Sequence, residues 1–181
     1  MAQQTDSTPA EAQLLVDFVN TLDIDDDIEQ IGSPDELAAW LGEHGLMQGG
    51  SARPEDVALA QRVRESLRAL MHANNGEPLD PDAVDELNKL SVETPLVLRF
   101  SSDGSTELAP GAEGAAAGLT RLMGNVYALM AEGKWQRVKA CPADSCEWAF
   151  YDQSKNRSRT WCSMEVCGNR SKARAYRRRH T

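Results

Sequence analysis

"CPADSCEWAFYDQSKNRSRTWCSMEVCGNR", residues 141–170, contains all four cysteines of a 181-residue chain. Cys141 and Cys146 enclose four residues, Cys162 and Cys167 enclose four more, and fifteen lie between the pairs. Tetrahedral zinc needs four soft ligands at about 2.3 Å, and two short-range pairs joined by a hairpin supply them at small loop-closure cost. Redox disulfides and buried free thiols are the other readings of such a set. Trp148, Phe150 and Tyr151 suit a strand, residues 154–158 a turn, and Thr160-Trp161-Cys162 a returning strand. Ser163 can cap a helix that starts at Met164 and carries Cys167 on its first turn. Knuckle, hairpin and ligand-bearing helix together describe a small treble-clef-like zinc-binding module over residues 134–181. A segment this short has too little apolar surface to fold unaided. Four thiolates close the coordination sphere, so one Zn2+ here is expected to be structural.

Charge divides the chain at the same place. Residues 1–133 hold seven basic against twenty-four acidic residues, net −17, whereas residues 134–181 hold twelve against four, net +8. Such polarity points to a polyanion-binding tail on an acidic body, or to a tail that docks on that body. Lys155, Arg157 and Arg159 fall in the expected turn; Arg170, Lys172, Arg174, Arg177, Arg178 and Arg179 fall on the expected helix. Arg170, Arg174 and Arg178 share one face, where like charges repel unless an anion joins them, and a DNA or RNA backbone is such an anion. Cations also suit a helix C-terminus for structural reasons alone. Gly168 inside a helix costs about 1 kcal/mol against Ala, which predicts a close backbone approach to the hairpin or to a phosphate. Asn169 then has a hairpin carbonyl or a base edge as its partner.

The acidic body reads as mostly helical. Thr8-Pro9-Ala10-Glu11 has the form of a capping box before the stripe Leu14, Leu15, Phe18, Val19, Leu22. Ser33-Pro34-Asp35-Glu36 repeats the signal ahead of Leu37, Trp40 and Leu41. The longest helix is expected from Pro54 to about Ala73, with Arg62, Arg64 and Arg68 paired to acids on a solvated face and Asn74-Asn75-Gly76 as its end. Asp80 caps a further helix. Residues 96–100 and 106–109 read as a β-hairpin, and 115–131 as a helix with the stripe Leu119, Leu122, Met123, Val126, Tyr127, Met130. Residues 133–139 read as an alternating strand into the first cysteine. The fold class is therefore α+β: a mostly helical N-terminal domain with a β-hairpin, residues 1–133, and the zinc module, residues 134–181.

No catalytic constellation stands out. His44, His72 and His180 are scattered, and the run Asp23 to Asp27 lacks the glycine and terminal glutamate of an EF-hand, so it reads as a solvated acidic loop. Asp17, Asn20 and Thr21 suit either a small-molecule pocket or capping and core hydrogen bonds. No stretch approaches the 18 or so apolar residues of a membrane span, and the N-terminus has no basic-then-apolar leader. A cytoplasmic address is expected, where structural disulfides are rare.

Trp161 to Arg174, with its Cys167-Gly168-Asn169-Arg170 run, resembles the signature of the CGNR-type zinc finger family. Cys141-Pro142, Cys146, Trp148, Phe150, Asp152 and Ser154 to Arg159 fit the same signature. Leu14 to Thr21 is similar to the opening of the ABATE domain that precedes this finger in the family. The resemblance implies a bacterial, stress-linked transcription regulator with a zinc-bound C-terminal module that binds DNA; the lack of a catalytic constellation sets the expectation that the protein is not an enzyme. A small-molecule effector at the N-terminal domain and a homo-oligomer are the accompanying expectations. A redox or zinc sensor, an interaction module and RNA in place of DNA are the competing readings.

Overall fold

The computed structural model describes residues 7–179. Six helices and three two-stranded antiparallel sheets follow in the order α1 (Ala10–Val19), β1 (Leu22–Asp23), β2 (Ile28–Glu29), α2 (Pro34–Glu43), α3 (Pro54–Asn74), α4 (Pro81–Glu93), β3 (Leu96–Phe100), β4 (Thr106–Pro110), α5 (Gly114–Ala131), β5 (Val138–Ala140), β6 (Ala149–Tyr151) and α6 (Asn169–Arg179). A single 3-10 turn, Trp135–Arg137, precedes β5, and a π-helical turn, Met164–Gly168, runs into α6.

Proline and short polar side chains set several helix starts. Ser33 Oγ accepts from the Glu36 amide at 3.3 Å and donates to Glu36 Oε2 at 2.8 Å, so the serine cap forms as its sequence predicts, with Glu36 on the Ser33 hydroxyl and not on its amide. Asp80 accepts from the Asp82 amide at 3.0 Å. The box expected at Thr8 does not form: Pro9 occupies the N-cap, and the Thr8 hydroxyl accepts instead from Gln153 Nε2 at 2.9 Å. The N-terminus of α1 is thereby tied to the cysteine-rich module.

Helices α1, α2, α3 and α5 enclose the core, with Leu15, Phe18, Leu37, Leu41, Leu67, Met71, Leu119 and Leu122 fully buried. Gly118 permits the close crossing of α5 on α2, since a Cβ there would lie 3.0 Å from Leu41 Cδ2 and 3.2 Å from the Leu46 carbonyl. Tyr127 and Met130, expected on the inner stripe of α5, are instead exposed at 60% and 48%. Leu129 is buried in their place. Hairpin β3–β4 pairs Leu98 with Leu108 and lays Ala109 and Pro110 inward, leaving Leu98 and Phe100 in solvent.

The core does not stop at Gly133. Trp135, Val138, Ala140, Ala149 and Tyr151 belong to the same buried cluster as the helices. Two arginines expected on a solvated face lie inside it. Only Arg62 fits that expectation, reaching Glu86 at 2.7 Å at the surface. Arg64 is 3% exposed and bonds Glu29 and Glu65, both at 2.7 Å. Arg68 is 2% exposed and donates to Glu65 Oε2, the Val19 carbonyl and the Glu147 carbonyl, each at 2.8 Å. A guanidinium held by a carboxylate and by carbonyls, as Arg68 is through each of its three nitrogens, is tolerable in a core where an isolated charge is not.

Candidate metal centre and basic helix

Strand β5 leads into Cys141, and β6 returns from the knuckle that holds Cys146. The ladder runs Val138 to Tyr151 and Ala140 to Ala149, and the Cys141 amide extends it to the Trp148 carbonyl at 3.0 Å. The partner of residues 149–151 is thus β5, and Thr160-Trp161-Cys162 forms no strand, contrary to the expectation from sequence. Side chains bond the backbone of the loop that leads to it. Lys139 Nζ donates to the carbonyls of Arg157 at 2.7 Å and Arg159 at 2.9 Å and to Asp152 Oδ2 at 2.8 Å. Asp152 accepts from the amides of Ser154 at 2.9 Å and Arg159 at 3.0 Å. Burial acts to raise the Asp152 pKa, but its bonds from Lys139 and Ser154 outweigh that and hold the carboxyl below its ordinary range.

Cys162 and Cys167 come from the far side of this loop. Ser163 Oγ caps the following turn, accepting from the Val166 amide at 3.3 Å, as its sequence position predicts. The turn is π-helical and delivers Cys167 at its fourth residue. A Cβ at Gly168 would meet Met164 Sδ at 2.5 Å and Trp161 Cδ1 at 3.3 Å, so the close approach is to neighbouring side chains, the nearer of them flexible and half-exposed, and not to backbone. Asn169 Nδ2 donates to the Glu165 carbonyl at 3.0 Å, one turn back in its own helix.

The four Sγ atoms of Cys141, Cys146, Cys162 and Cys167 all lie within 4.8 Å of one another. Cys146 and Cys162 are 3.5 Å apart, and Cys162 and Cys167 3.7 Å. A regular tetrahedron with zinc–sulfur bonds of about 2.3 Å has edges of about 3.8 Å, whereas a disulfide needs about 2.05 Å. The set fits a four-thiolate zinc and no disulfide. Burial and the neighbouring Cys146 thiol push Cys162 far above the ordinary thiol pKa, and burial raises Cys167 to about 11. Cys141 moves the other way: burial is outweighed by bonds from the Cys162 and Ala143 amides to its sulfur. Four thiols crowded this closely cannot all ionise without a cation among them.

The expected nucleic-acid residues divide into two groups. Arg159 is engaged: it donates through Nε to the Trp161 carbonyl at 2.9 Å and through Nη2 to the Cys162 carbonyl, and it stacks on Phe150 at 4.6 Å. Arg157 reaches the Gly133 carbonyl at 3.3 Å. Arg170 pairs with Asp25 of the β1–β2 loop at 3.1 Å, and Arg177 and Arg179 bond carbonyls of their own helix at 3.4 and 3.3 Å. Lys155, Lys172, Arg174 and Arg178 are exposed and pair with no acid among the described residues. Arg174, Arg177 and Arg178 border one shallow groove, and α6 buries none of its residues.

Several residues that hold the module were invisible as such in the sequence. Asn20 exchanges two hydrogen bonds with Ala149, at 3.0 and 2.8 Å, while Thr21 bonds the Phe18 carbonyl. Asn74 and Asn75, legible only as a helix end, reach carbonyls in the cysteine segment. Of the histidines, His44 stacks on Trp40 at 4.0 Å, and burial lowers the His72 pKa; His180 lies outside the described residues. The run Asp23 to Asp27 is a loop closed by Asp23 Oδ1 on the amides of Asp25 and Asp26.

Comparison with known proteins accords with this geometry. The family model of the ABATE domain, described as "Putative stress-induced transcription regulator", matches residues 12–133. That of the CGNR zinc finger matches residues 137–180. A search of curated proteins returns no match. Among the described residues no helix is long and apolar enough to cross a membrane. The cysteine module takes one structural zinc ion, and with more than half its length inside one model and its cysteine segment inside the other, the chain belongs to the ABATE family that carries a CGNR zinc finger.

Proposed function

We propose that this protein is a transcription regulator that binds DNA through its zinc-anchored basic helix. The observation that carries the reading is the placement of α6. The π-helical turn that runs into it carries Cys167, it buries none of its residues, and Lys172, Arg174 and Arg178 project without acidic partners among the described residues. Zinc supplies rigidity; the chain's own cations would neutralise phosphates. In this reading the protein is a binding protein and not an enzyme.

The body would carry the regulatory input. An open cleft of about 1070 Å³ lies between β4, α5 and residues 46–50, with Leu46, Leu96 and Tyr127 as apolar walls and Arg99 and Arg121 at its polar positions. That is ample for a small effector. The Arg170–Asp25 pair favours a second reading, docking of the tail on the acidic body, for that one residue; Lys172, Arg174 and Arg178 make no such contact to an acid among the described residues.

Fluorescence anisotropy of labelled random duplexes with zinc-loaded full-length protein tests the proposal. About five phosphate contacts give a slope of about −4.5 in log affinity against log salt. Binding that is absent from every duplex, or insensitive to salt, overturns it. Tighter salt-sensitive binding to single-stranded RNA replaces DNA with RNA.

A further inference from the structure

The C-terminal end of α3 supplies an unusual number of donors to the cysteine segment. Asn74 Nδ2 donates to the carbonyls of Trp135 at 3.0 Å and Val138 at 2.8 Å. Asn75 Nδ2 donates to those of Ala140 at 2.8 Å and Thr160 at 2.7 Å. Both hydrogens of each amide are therefore committed. In β5, the carbonyls of Val138 and Ala140 point away from β6, because Arg137 and Cys141 are the residues that bond across to that side. Two side-chain amides thus occupy the place of a third strand.

Asn75 differs from Asn74 in what it joins. Ala140 immediately precedes Cys141, and Thr160 stands two residues before Cys162. One amide group consequently sets the separation of the two backbone segments that bring the two cysteine pairs together. Two turns earlier on the same helix, Arg68 holds the carbonyl of Glu147, the residue after Cys146, at 2.8 Å. Glu147 needs that hold, since its φ of 50° is a left-handed conformation disfavoured for a side chain of its kind. Helix α3 thereby brackets the first knuckle on both sides and reaches the second segment.

We propose that Asn75 is a positioning residue of the zinc centre, so that a helix of the acidic body forms part of the metal site's outer shell. The inference rests on the four-cysteine zinc site and not on the nucleic-acid reading. Partners of this kind fix where ligands sit before the ion arrives, and their loss commonly costs 10- to 100-fold in metal affinity.

The test compares three full-length variants by zinc competition with a chromophoric chelator, and by the absorption of the Co2+-loaded protein. Asn75→Asp turns two donors into carboxylate oxygens facing two carbonyls and is expected to weaken zinc about 10- to 100-fold. Asn75→Ala removes the donors without adding charge, and its φ of −98° and ψ of 5° are open to alanine, so it carries the comparison if the aspartate variant does not fold. Asn74→Ala removes as many bonds from the same seam but none next to a cysteine; it is expected to lower the melting temperature while keeping wild-type zinc affinity and the wild-type tetrahedral cobalt spectrum. Equal zinc affinities for the Asn75 variants and wild type, or an equal loss for Asn74→Ala and Asn75→Ala, overturn the proposal. Failure of the wild-type protein itself to bind zinc would instead overturn the metal site.

Discussion

Replacing Lys139 by methionine removes the cation from a pair that has almost no access to water: the Lys139 side chain is 6% exposed and that of Asp152 0%. Asp152 would keep its two amide donors but lose its counter-charge, and the carbonyls of Arg157 and Arg159 would lose a shared donor. Breaking a buried pair from one side costs about 3–5 kcal/mol, mostly because the remaining charge is stranded. For a chain of this size, that is a fall of about 6–20 °C in melting temperature. Thermal and urea unfolding of zinc-loaded Lys139→Met measure it. The pH dependence gives an internal check. In the wild type the depressed Asp152 pKa contributes stability above the ordinary aspartate pKa, and that contribution is lost as pH falls through the lower, folded value. In the variant, burial without a cation drives the same carboxyl up, so its protonation relieves the penalty. The cost of the substitution should therefore shrink as pH is lowered from about 8 toward about 5.5. A loss below about 1 kcal/mol at neutral pH, or a cost that grows on acidification, refutes the reasoning.

Other perturbations follow from the same geometry. Asp25→Asn frees Arg170 from an exposed pair, so stability should change by no more than about 1 kcal/mol while duplex affinity rises, as read by anisotropy and thermal unfolding. Arg174→Ala should lower the salt slope of DNA binding by about 0.9, and adding Arg178→Ala should lower it by as much again. Gly118→Ala sets a methyl 3.0 Å from Leu41 Cδ2 and 3.2 Å from the Leu46 carbonyl, and should cost about 1–3 kcal/mol in urea unfolding. Zinc removal by a strong chelator should lower the unfolding midpoint of the whole protein by circular dichroism, because β5 and β6 contribute to the helical core.

What the sequence disclosed is what local pattern can carry. Ser33 and Asp80 announce their helices, the cysteine spacing announces four converging thiolates, and the 3.6-residue stripe of α3 announces its buried side. The opposite side of α3 departs from its pattern for a physical reason. Arg64 and Arg68 are charged residues at positions that would suit solvent, and their acceptors at Thr21, Val19 and Glu147 are 43, 49 and 79 residues away. Asn75 looks like any helix end until Thr160, 85 residues on, is brought beside it. The second strand expected at Thr160 to Cys162 fails likewise: β5, from the other side of the first knuckle, pairs with β6, and side chains of Asn75 and Arg159 take the carbonyls of Thr160, Trp161 and Cys162. Basic residues give a comparable lesson. Arg159 and Arg174 are indistinguishable by type, yet one braces the zinc loop and the other stands in water.

The continuity of the apolar interior past Gly133 bears on how such a chain can be taken apart. A finger whose inner wall consists of another segment's helices is not a cassette: grafted elsewhere, it would carry Trp135, Val138, Ala149 and Tyr151 into water, and the truncated remainder would lose the lid over α1 and α3. Anything that loosens the grip of those helices on the knuckle therefore reaches the metal and the cationic arm beyond it without crossing a flexible tether.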